Sequence, residues 1–474
     1  MRLFPMYTWH RSLVNMNASK RSFMRQPWAT GAILLTCVIL AMLLANLPFT
    51  HEAYESFLQT SLSIKIHSVD SGTGKEAFSF IFPKDMTVER FINDILMVVF
   101  FFTVGLEIKR EVVCGELSSP RKAMMPVIAA MGGMLFPALF FTLFNHGTYA
   151  ASGWGIPTAT DIAFAVGIMS FLGNKVPISL KVFLIALAIA DDLGAILVVA
   201  LFYGGSVRMS LLLIALGIII LVMLMNKLGE KRMISYLIPA FVVWTLFYYS
   251  GIHSTMSGVV MAFMIPMRAR YNKAYFERRS RNYTNSLKLA EGEYPDEPFP
   301  NTRQQHCLRR ISSISAGSIG MSYRLEYALS PWVNYLIMPI FALANAGVHI
   351  PDISYFNIFQ YSPELGSVGM GVFFGLVLGK PIGITLASWL AIKLRIGAMP
   401  DKATWKMFFA VACLGGIGFT MSIFVDTLSF GDHPEVTEHL RNTGKIAVLF
   451  GSLCAGILGS VLINILSKKT EKTA

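Results

Sequence analysis

Long apolar stretches separated by short polar ones set the pattern of this chain. No Lys, Arg, Asp or Glu occurs in 26–51, 123–160, 209–226, 233–267, 328–351 or 446–467. Most of these stretches can cross a hydrocarbon core of about 30 Å, which takes ~20 helical residues. Two more, 182–207 and 366–392, are interrupted by only one or two charges. The run 233–267 is too long for one span, and its polar break Ser250-Gly251-Ile252-His253-Ser254 divides it. The pattern predicts twelve helices, at about 28–48, 91–110, 123–144, 154–172, 179–203, 210–226, 233–249, 252–267, 329–348, 366–392, 407–429 and 446–466. A β-barrel would show alternating segments of ~10 residues instead.

Composition agrees. Charged residues are 14% and hydrophobic residues 54% of the 474, against the roughly 25% charged of soluble domains. A soluble multidomain enzyme is thereby excluded, and so is a disordered chain. The net charge of +12 is unevenly spread: 31 Lys and Arg fall in the termini and the loops sharing their side, and 7 (Lys65, Lys75, Lys84, Arg90, Arg208, Arg441 and Lys445) in the outer loops on the opposite side. By the positive-inside rule both termini are cytoplasmic, and the basic charge faces anionic lipid; with no basic domain, nucleic acid is not expected as a partner. The expected organisation is a basic cytoplasmic N-terminus at 1–27, one transmembrane domain at 28–466 and a short cytoplasmic C-terminus at 467–474. Basic residues up to Arg25 precede an apolar run longer than a signal-peptide core, so an uncleaved first helix is expected. Two insertions interrupt the domain. One, outside at about 50–90, has a Ser-Gly-Thr-Gly turn at 71–74 that suits a hairpin; the other, a cytoplasmic linker at about 268–327, is basic at Arg278, Arg279 and Arg281 and turns acidic and Pro-rich near Glu291–Pro300. The five cysteines match no metal motif and read as packing residues.

The charges inside the apolar runs are the most informative residues. Asp161 follows Gly153-Trp154-Gly155-Ile156-Pro157-Thr158-Ala159-Thr160, a Gly/Pro-interrupted stretch of the fourth span. Asp191 and Asp192 stand mid-way in the fifth, and Lys380 interrupts the tenth at Gly379-Lys380-Pro381. A charge at a helix centre costs about 2.5–3.5 kcal/mol on insertion scales. Two adjacent carboxylates in a low dielectric cannot both be charged cheaply, so cation and proton compete for the same oxygens. A site open to one side at a time would convert that competition into antiport. The eleventh span has its own Gly-rich interruption, Leu414-Gly415-Gly416-Ile417-Gly418-Phe419-Thr420-Met421-Ser422. Spans 4 and 11 are an odd number apart and so cross in opposite directions; spans 3–5 and 10–12 form candidate inverted repeats, whose matching broken helices point to a midplane site. Opposed half-helices would bring two positive ends together, which Asp161 offsets, and two negative ends, which Lys380 offsets.

These motifs, with Val104-Gly105-Leu106-Glu107-Ile108-Lys109-Arg110-Glu111, Thr158-Ala159-Thr160-Asp161-Ile162-Ala163-Phe164, Ala188-Ile189-Ala190-Asp191-Asp192-Leu193-Gly194-Ala195-Ile196, Gly379-Lys380-Pro381-Ile382-Gly383 and Gly416-Ile417-Gly418-Phe419-Thr420-Met421-Ser422, closely resemble the NhaA-type sodium/proton antiporters. The resemblance implies an all-α polytopic membrane protein of about twelve helices with inverted repeats and discontinuous helices 4 and 11. It implies electrogenic exchange of cytoplasmic Na⁺ or Li⁺ for external H⁺ across a bacterial inner membrane, without a cofactor, by a homodimer. By the same resemblance Asp191 and Asp192 bind the cation and protons, Thr160 and Asp161 belong to the broken-helix assembly, and Lys380 pairs with Asp191 in the empty site. Glu107, Lys109, Arg110, Glu111, His253, Glu326 and, less directly, Asp94 become candidates for pH sensing. In Leu325-Glu326-Tyr327-Ala328-Leu329-Ser330-Pro331-Trp332, Tyr327 and Ser330 stand where well-known relatives have histidines.

Other classes fit less well. An intramembrane aspartyl protease needs its two carboxylates on facing helices in Tyr-Asp and Gly-x-Gly-Asp settings, which are missing here. A solute symporter or a passive channel would not require an Asp pair with a buried Lys.

Overall fold

The computed structural model describes residues 27–62, 64–69, 76–82, 86–204, 207–289, 301–350, 357–401, 403–430 and 434–473. The basic N-terminal segment before Pro27, the 71–74 turn and Glu291–Pro300 lie outside the described residues.

Among the described residues eight helices are long and apolar enough to cross a membrane, ten when two sharply bent pairs are each taken as one span. The helices in chain order are α1 Pro27–Asn46; α2 His51–Gln59, a short polar helix; α3 Val88–Cys114; α4 Pro120–Asn145; a 3-10 segment Tyr149–Thr158 with α5 Ile162–Leu172; α6 Ile178–Phe202; and α7 Met209–Lys227. Then follow α8 Ile234–Ser250, α9 Met256–Met264, α10 Lys273–Leu289, α11 Thr302–Ser318, α12 Met321–Asn345 and α13 Val368–Lys393, α14 Trp405–Gly415, α15 Phe419–Ser429 and α16 Pro434–Thr473.

The all-α polytopic expectation is met, with one addition. Strands β1 Ile64–Val69 and β2 Glu76–Phe82 pair antiparallel, Ile64 opposite Phe82, in the insertion at about 50–90 where a hairpin was expected.

Two expectations need correction. The eighth span was expected at 252–267, but α9 has nine residues, about 14 Å at 1.5 Å each and too short to cross the hydrocarbon. Pro266 explains its end: it pushes Ile265 into the extended region (ψ 128°), because the residue before proline disfavours the helix. The segment 268–327 is more than a linker. It holds α10 and α11, which pack against each other, and α11 begins on a capping box in which Asn301 and Gln304 exchange side-chain and backbone bonds.

The chain divides into two compact units: Met1–Leu96 with Cys114–Gly204 and Asn334–Ala474, and Met97–Val113 with Gly205–Val333. The first has a core of buried side chains including Leu184, Leu187, Ile384, Phe408, Val411 and Leu414. The second is built around Leu106, Val222, Tyr236, Val243 and Met261. In the first unit α4 and α13 pack backbone to backbone. A Cβ on Gly132 would lie 2.3 Å from the Gly383 carbonyl oxygen, and one on Gly383 2.2 Å from that of Gly132. Only glycine allows this approach, and it seats the turn of α13 that carries Lys380.

Candidate functional site

The site grows out of two places where helices are broken. The 3-10 segment ends at Thr158, residues 159–161 run extended, and α5 resumes with a 41° bend; α14 stops at Gly415 and α15 resumes at Phe419 with a 48° bend. Pro157 lacks the N–H an α-helix would use, and at the second break Gly416 and Gly418 let neighbouring backbone come close, since a Cβ on them would lie 2.4 Å from the Leu376 carbonyl oxygen and 2.9 Å from that of Ala159. The two breaks touch, since the Asp161 backbone N–H donates to the Ile417 carbonyl at 2.6 Å.

Asp161 caps both half-helices. Its Oδ1 accepts from the Phe164 N–H (3.1 Å) and its Oδ2 from the Thr420 N–H (3.1 Å) and hydroxyl (2.5 Å). The N-termini of α5 and α15 therefore converge on one buried carboxylate, and the half-helices are opposed. Each such end carries roughly half a positive charge. The negative ends are met separately: Lys380 Nζ donates to the Thr158 carbonyl at 2.7 Å, and the Thr160 hydroxyl lies 2.9 Å from the Gly415 carbonyl.

Asp191 and Asp192, mid-way along α6, are both buried. Asp191 Oδ2 is 2.7 Å from Lys380 Nζ and 2.5 Å from the Thr160 hydroxyl, and the Lys380 side chain is 0% exposed. Its Oδ1 meets no donor among the described residues. Asp192 follows about 100° further round the helix, within electrostatic reach of Lys380. A five-residue π-helical turn, Gly375–Gly379, immediately precedes Lys380; such turns often mark functional positions. Thus Thr160, Asp161, Asp191, Asp192 and Lys380, expected from sequence as one assembly, are brought together.

A second cluster lies in the other unit. Arg110 bridges Glu326 and, at 3.0 Å, Glu111, and Glu107 feels the charges of all three. Lys109 Nζ donates to the Phe263 carbonyl at 2.7 Å and to that of Ile265, capping the C-terminal end of α9. His253 is separated from this group. It sits in the turn before α9, at that helix's opposite end, with Nδ1 2.9 Å from the Thr255 hydroxyl. Asp94 belongs to the first unit, on a π-helical turn near the start of α3. Of the two positions lacking family histidines, Ser330 donates to the Glu326 carbonyl (2.7 Å) and Tyr327 is exposed.

Sequence reading passed over one intramembrane acid, Asp426, which is 0% exposed on α15. It also assigned Lys445 to an outer loop, whereas α16 carries Lys445 into a span, Thr437–Lys468. The signal for Asp426 was present: a carboxylate within the apolar run 407–429.

The profile of the family described as Na⁺/H⁺ antiporter 1 matches residues 21–463. The Na⁺/H⁺ antiporter NhaA of Bacteroides thetaiotaomicron is 41% identical over 448 residues, 94% of this chain and 97% of that protein. The one of Acidithiobacillus ferrooxidans is 40% identical over 94% of this chain and 97% of its own length, and the one of Oleidesulfovibrio alaskensis 39% over 95% and 94%.

Proposed function

The chain belongs to the Na⁺/H⁺ antiporter 1 family, and from that premise we propose that it exports Na⁺ or Li⁺ from the cytoplasm of a bacterium in exchange for a larger number of external H⁺. It is a multi-pass membrane protein; the proposal adds the inner membrane as its site, with both termini cytoplasmic. The observation that carries the reading is the buried Lys380–Asp191 pair, 2.7 Å apart, beside Asp192 at the crossing of two interrupted helices.

The exchange follows from competition for oxygens. With no cation present, the Lys380 ammonium neutralises Asp191, and a proton on Asp192 spares a second buried charge. An arriving Na⁺ takes the carboxylate oxygens of both, so Asp192 must lose its proton. Lys380, deprived of its partner in a dry site, releases one as well, because an unpaired buried ammonium is costly. Two protons leave for one cation, and net charge moves. The interrupted backbones suit alternating access, since extended segments change direction more cheaply than continuous helices.

Regulation by pH is assigned to Glu107, Lys109, Arg110, Glu111 and Glu326, with His253 and Asp94 as separate contributors. Lys109 supports this role because it bonds the end of α9 directly. The homodimer rests on the family resemblance, and the contact with anionic lipid on the basic charge of the termini and of the loops on their side.

The test uses proteoliposomes with an inside-acid pH gradient, to which NaCl, LiCl or KCl is added. Na⁺ or Li⁺ should collapse the gradient with wild-type protein and leave it standing with the Asp191→Asn/Asp192→Asn double variant. A folded wild type that leaves the gradient intact with every salt would overturn the reading.

A further inference from the structure

The opposite end of α15 from Thr420 presents a second arrangement of ionisable groups. Asp426 follows Thr420 by six residues, about 9 Å along the helix. It is 0% exposed, and among the described residues neither of its carboxylate oxygens meets a hydrogen-bond partner. Four residues before it, on the same face, Ser422 is likewise 0% exposed with an unpartnered hydroxyl. The Asp426 carboxylate lies directly on α16: a Cβ on Gly444 would be 2.0 Å from Oδ1. The residue after that glycine is Lys445, which with Arg441 is the cation acting on Asp426.

The cations differ in what they can do. Arg441 is held, its Nη2 donating at 2.8 Å to the carbonyls of Thr427 and Phe430 at the end of α15. Lys445 instead lines a cavity of about 480 Å³, together with Tyr54, Glu55, Glu89, Glu438 and Arg441. The remaining groups near the pair are Glu89, whose charge acts on Lys445, and the Tyr203 hydroxyl, which feels Asp426. Along α15 the polar groups are Asp426 and Ser422 on one face, toward the cavity beside α2, and Thr420, which bonds Asp161, on the other, in a half-helix otherwise filled by Met421, Ile423, Phe424 and Val425.

We propose that Asp426, with Lys445 and Ser422, is a second proton-exchanging station, placed between this cavity and the helix crossing, through which protons reach or leave the Asp191/Asp192 pair. The assignment rests on the antiport reading above and goes beyond it by naming the proton route on one side. A buried carboxylate without partners is expensive to keep charged and must take something up. Lys445 decides what: an ammonium beside the acid repels Na⁺, whereas a proton can pass between them. Neither Asp426 oxygen is bonded to Lys445 in this structure, so the flexible lysine side chain first closes on the acid; its N–H bond then breaks and an Asp426 O–H bond forms, giving neutral amine and neutral acid, and the reverse returns the ion pair. A fresh proton from the cavity then recharges the amine. The acidic lining of Glu55, Glu89 and Glu438 favours protons at the mouth.

Two arms test it in the full-length protein. In the Asp191→Asn/Asp192→Asn background, infrared difference spectra between acid and alkaline buffer should contain a carboxylic-acid carbonyl band that disappears when Asp426→Asn is added. With Asp191 and Asp192 intact, Asp426→Asn should slow Na⁺-driven proton exchange by about tenfold or more when proton supply on the cavity side is limiting. The KM for Na⁺ should change by less than about twofold. Lys445→Gln should slow exchange in the same way while retaining the infrared band. Identical spectra with and without Asp426→Asn, in protein that stays monodisperse, would overturn the station. So would a KM for Na⁺ that rises as far as the rate falls, since Asp426 would then belong to a cation site. Should the wild type exchange nothing, the antiport reading fails, and the infrared arm still decides whether Asp426 titrates.

Discussion

Two ion pairs, one in each unit, show what burial does to the same chemistry. Lys380 and Asp191 are 0% and 2% exposed, while Arg110 and Glu326 are 35% and 9%. The first pair is dry and fitted into broken backbone, so neither partner can leave without a replacement. On the proposed reading Na⁺ is such a replacement, and it is this exchange that would make the pair a transport site. The second pair has a partly exposed arginine and a further carboxylate, Glu111, on the same guanidinium. It can gain or lose charge while the fold stays in place, which suits adjustment.

The comparison breaks first at α6. Asp192→Asn should reduce exchange to the level of empty liposomes with the unfolding temperature nearly unchanged, because the Lys380–Asp191 pair survives. Asp191→Asn should also abolish exchange but cost about 3–5 kcal/mol, the penalty for leaving one member of a buried pair uncompensated. Thermal unfolding in detergent separates the two; equal midpoints would mean that Lys380 does not depend on Asp191. Next comes Asp161→Ala, which removes the cap from two helix N-termini at about 1–2 kcal/mol each. It should slow exchange strongly, with Asp161→Asn retaining part of the stability, and unchanged stability in the alanine variant would mean that the caps are not needed.

How much of this was legible beforehand follows from what residue letters encode. Apolar runs, uncharged or interrupted by only a few charges, located ten spans, broken ones included, because crossing hydrocarbon demands such runs whatever surrounds them. The assembly of Thr160, Asp161, Asp191, Asp192 and Lys380 was legible too, since a charge in such a run must have a reason. The groups that complete it were not. Lys380 and Thr160 meet the carbonyls of Thr158 and Gly415, and a carbonyl has no letter; only the broken helix exposes it. Lys445 was misassigned because charges were counted by loop, and nothing local to that lysine announces that α16 extends past it. His253 is near Glu107 in motif logic alone; α9 separates it from the cluster.

Smaller effects sharpen the other half of the comparison. Glu326→Gln leaves Arg110 with Glu111 and with water, so the loss of stability should be about 1 kcal/mol or less, as for partly exposed pairs. The maximal exchange rate should be retained, while its dependence on pH shifts. A stability loss as large as that of Asp191→Asn would erase the distinction between the two pairs.

The smallest effect is expected at Tyr327, one residue beyond Glu326 and 78% exposed. Tyr327→His introduces a group that titrates near neutrality on the helix that presents Glu326 to Arg110. Being exposed, the new imidazole costs little to charge and loses little packing, so the unfolding temperature should hold. A cation beside Glu326 competes with Arg110 for it once protonated, and that competition ends as pH rises past ~6.5, the unperturbed value for histidine. Exchange rates of the variant and the wild type should therefore converge in alkaline buffer and diverge in acid. A uniform change across pH would indicate that Tyr327 acts through shape, and no change at any pH that the Arg110–Glu326 pair does not respond to charge on its neighbour.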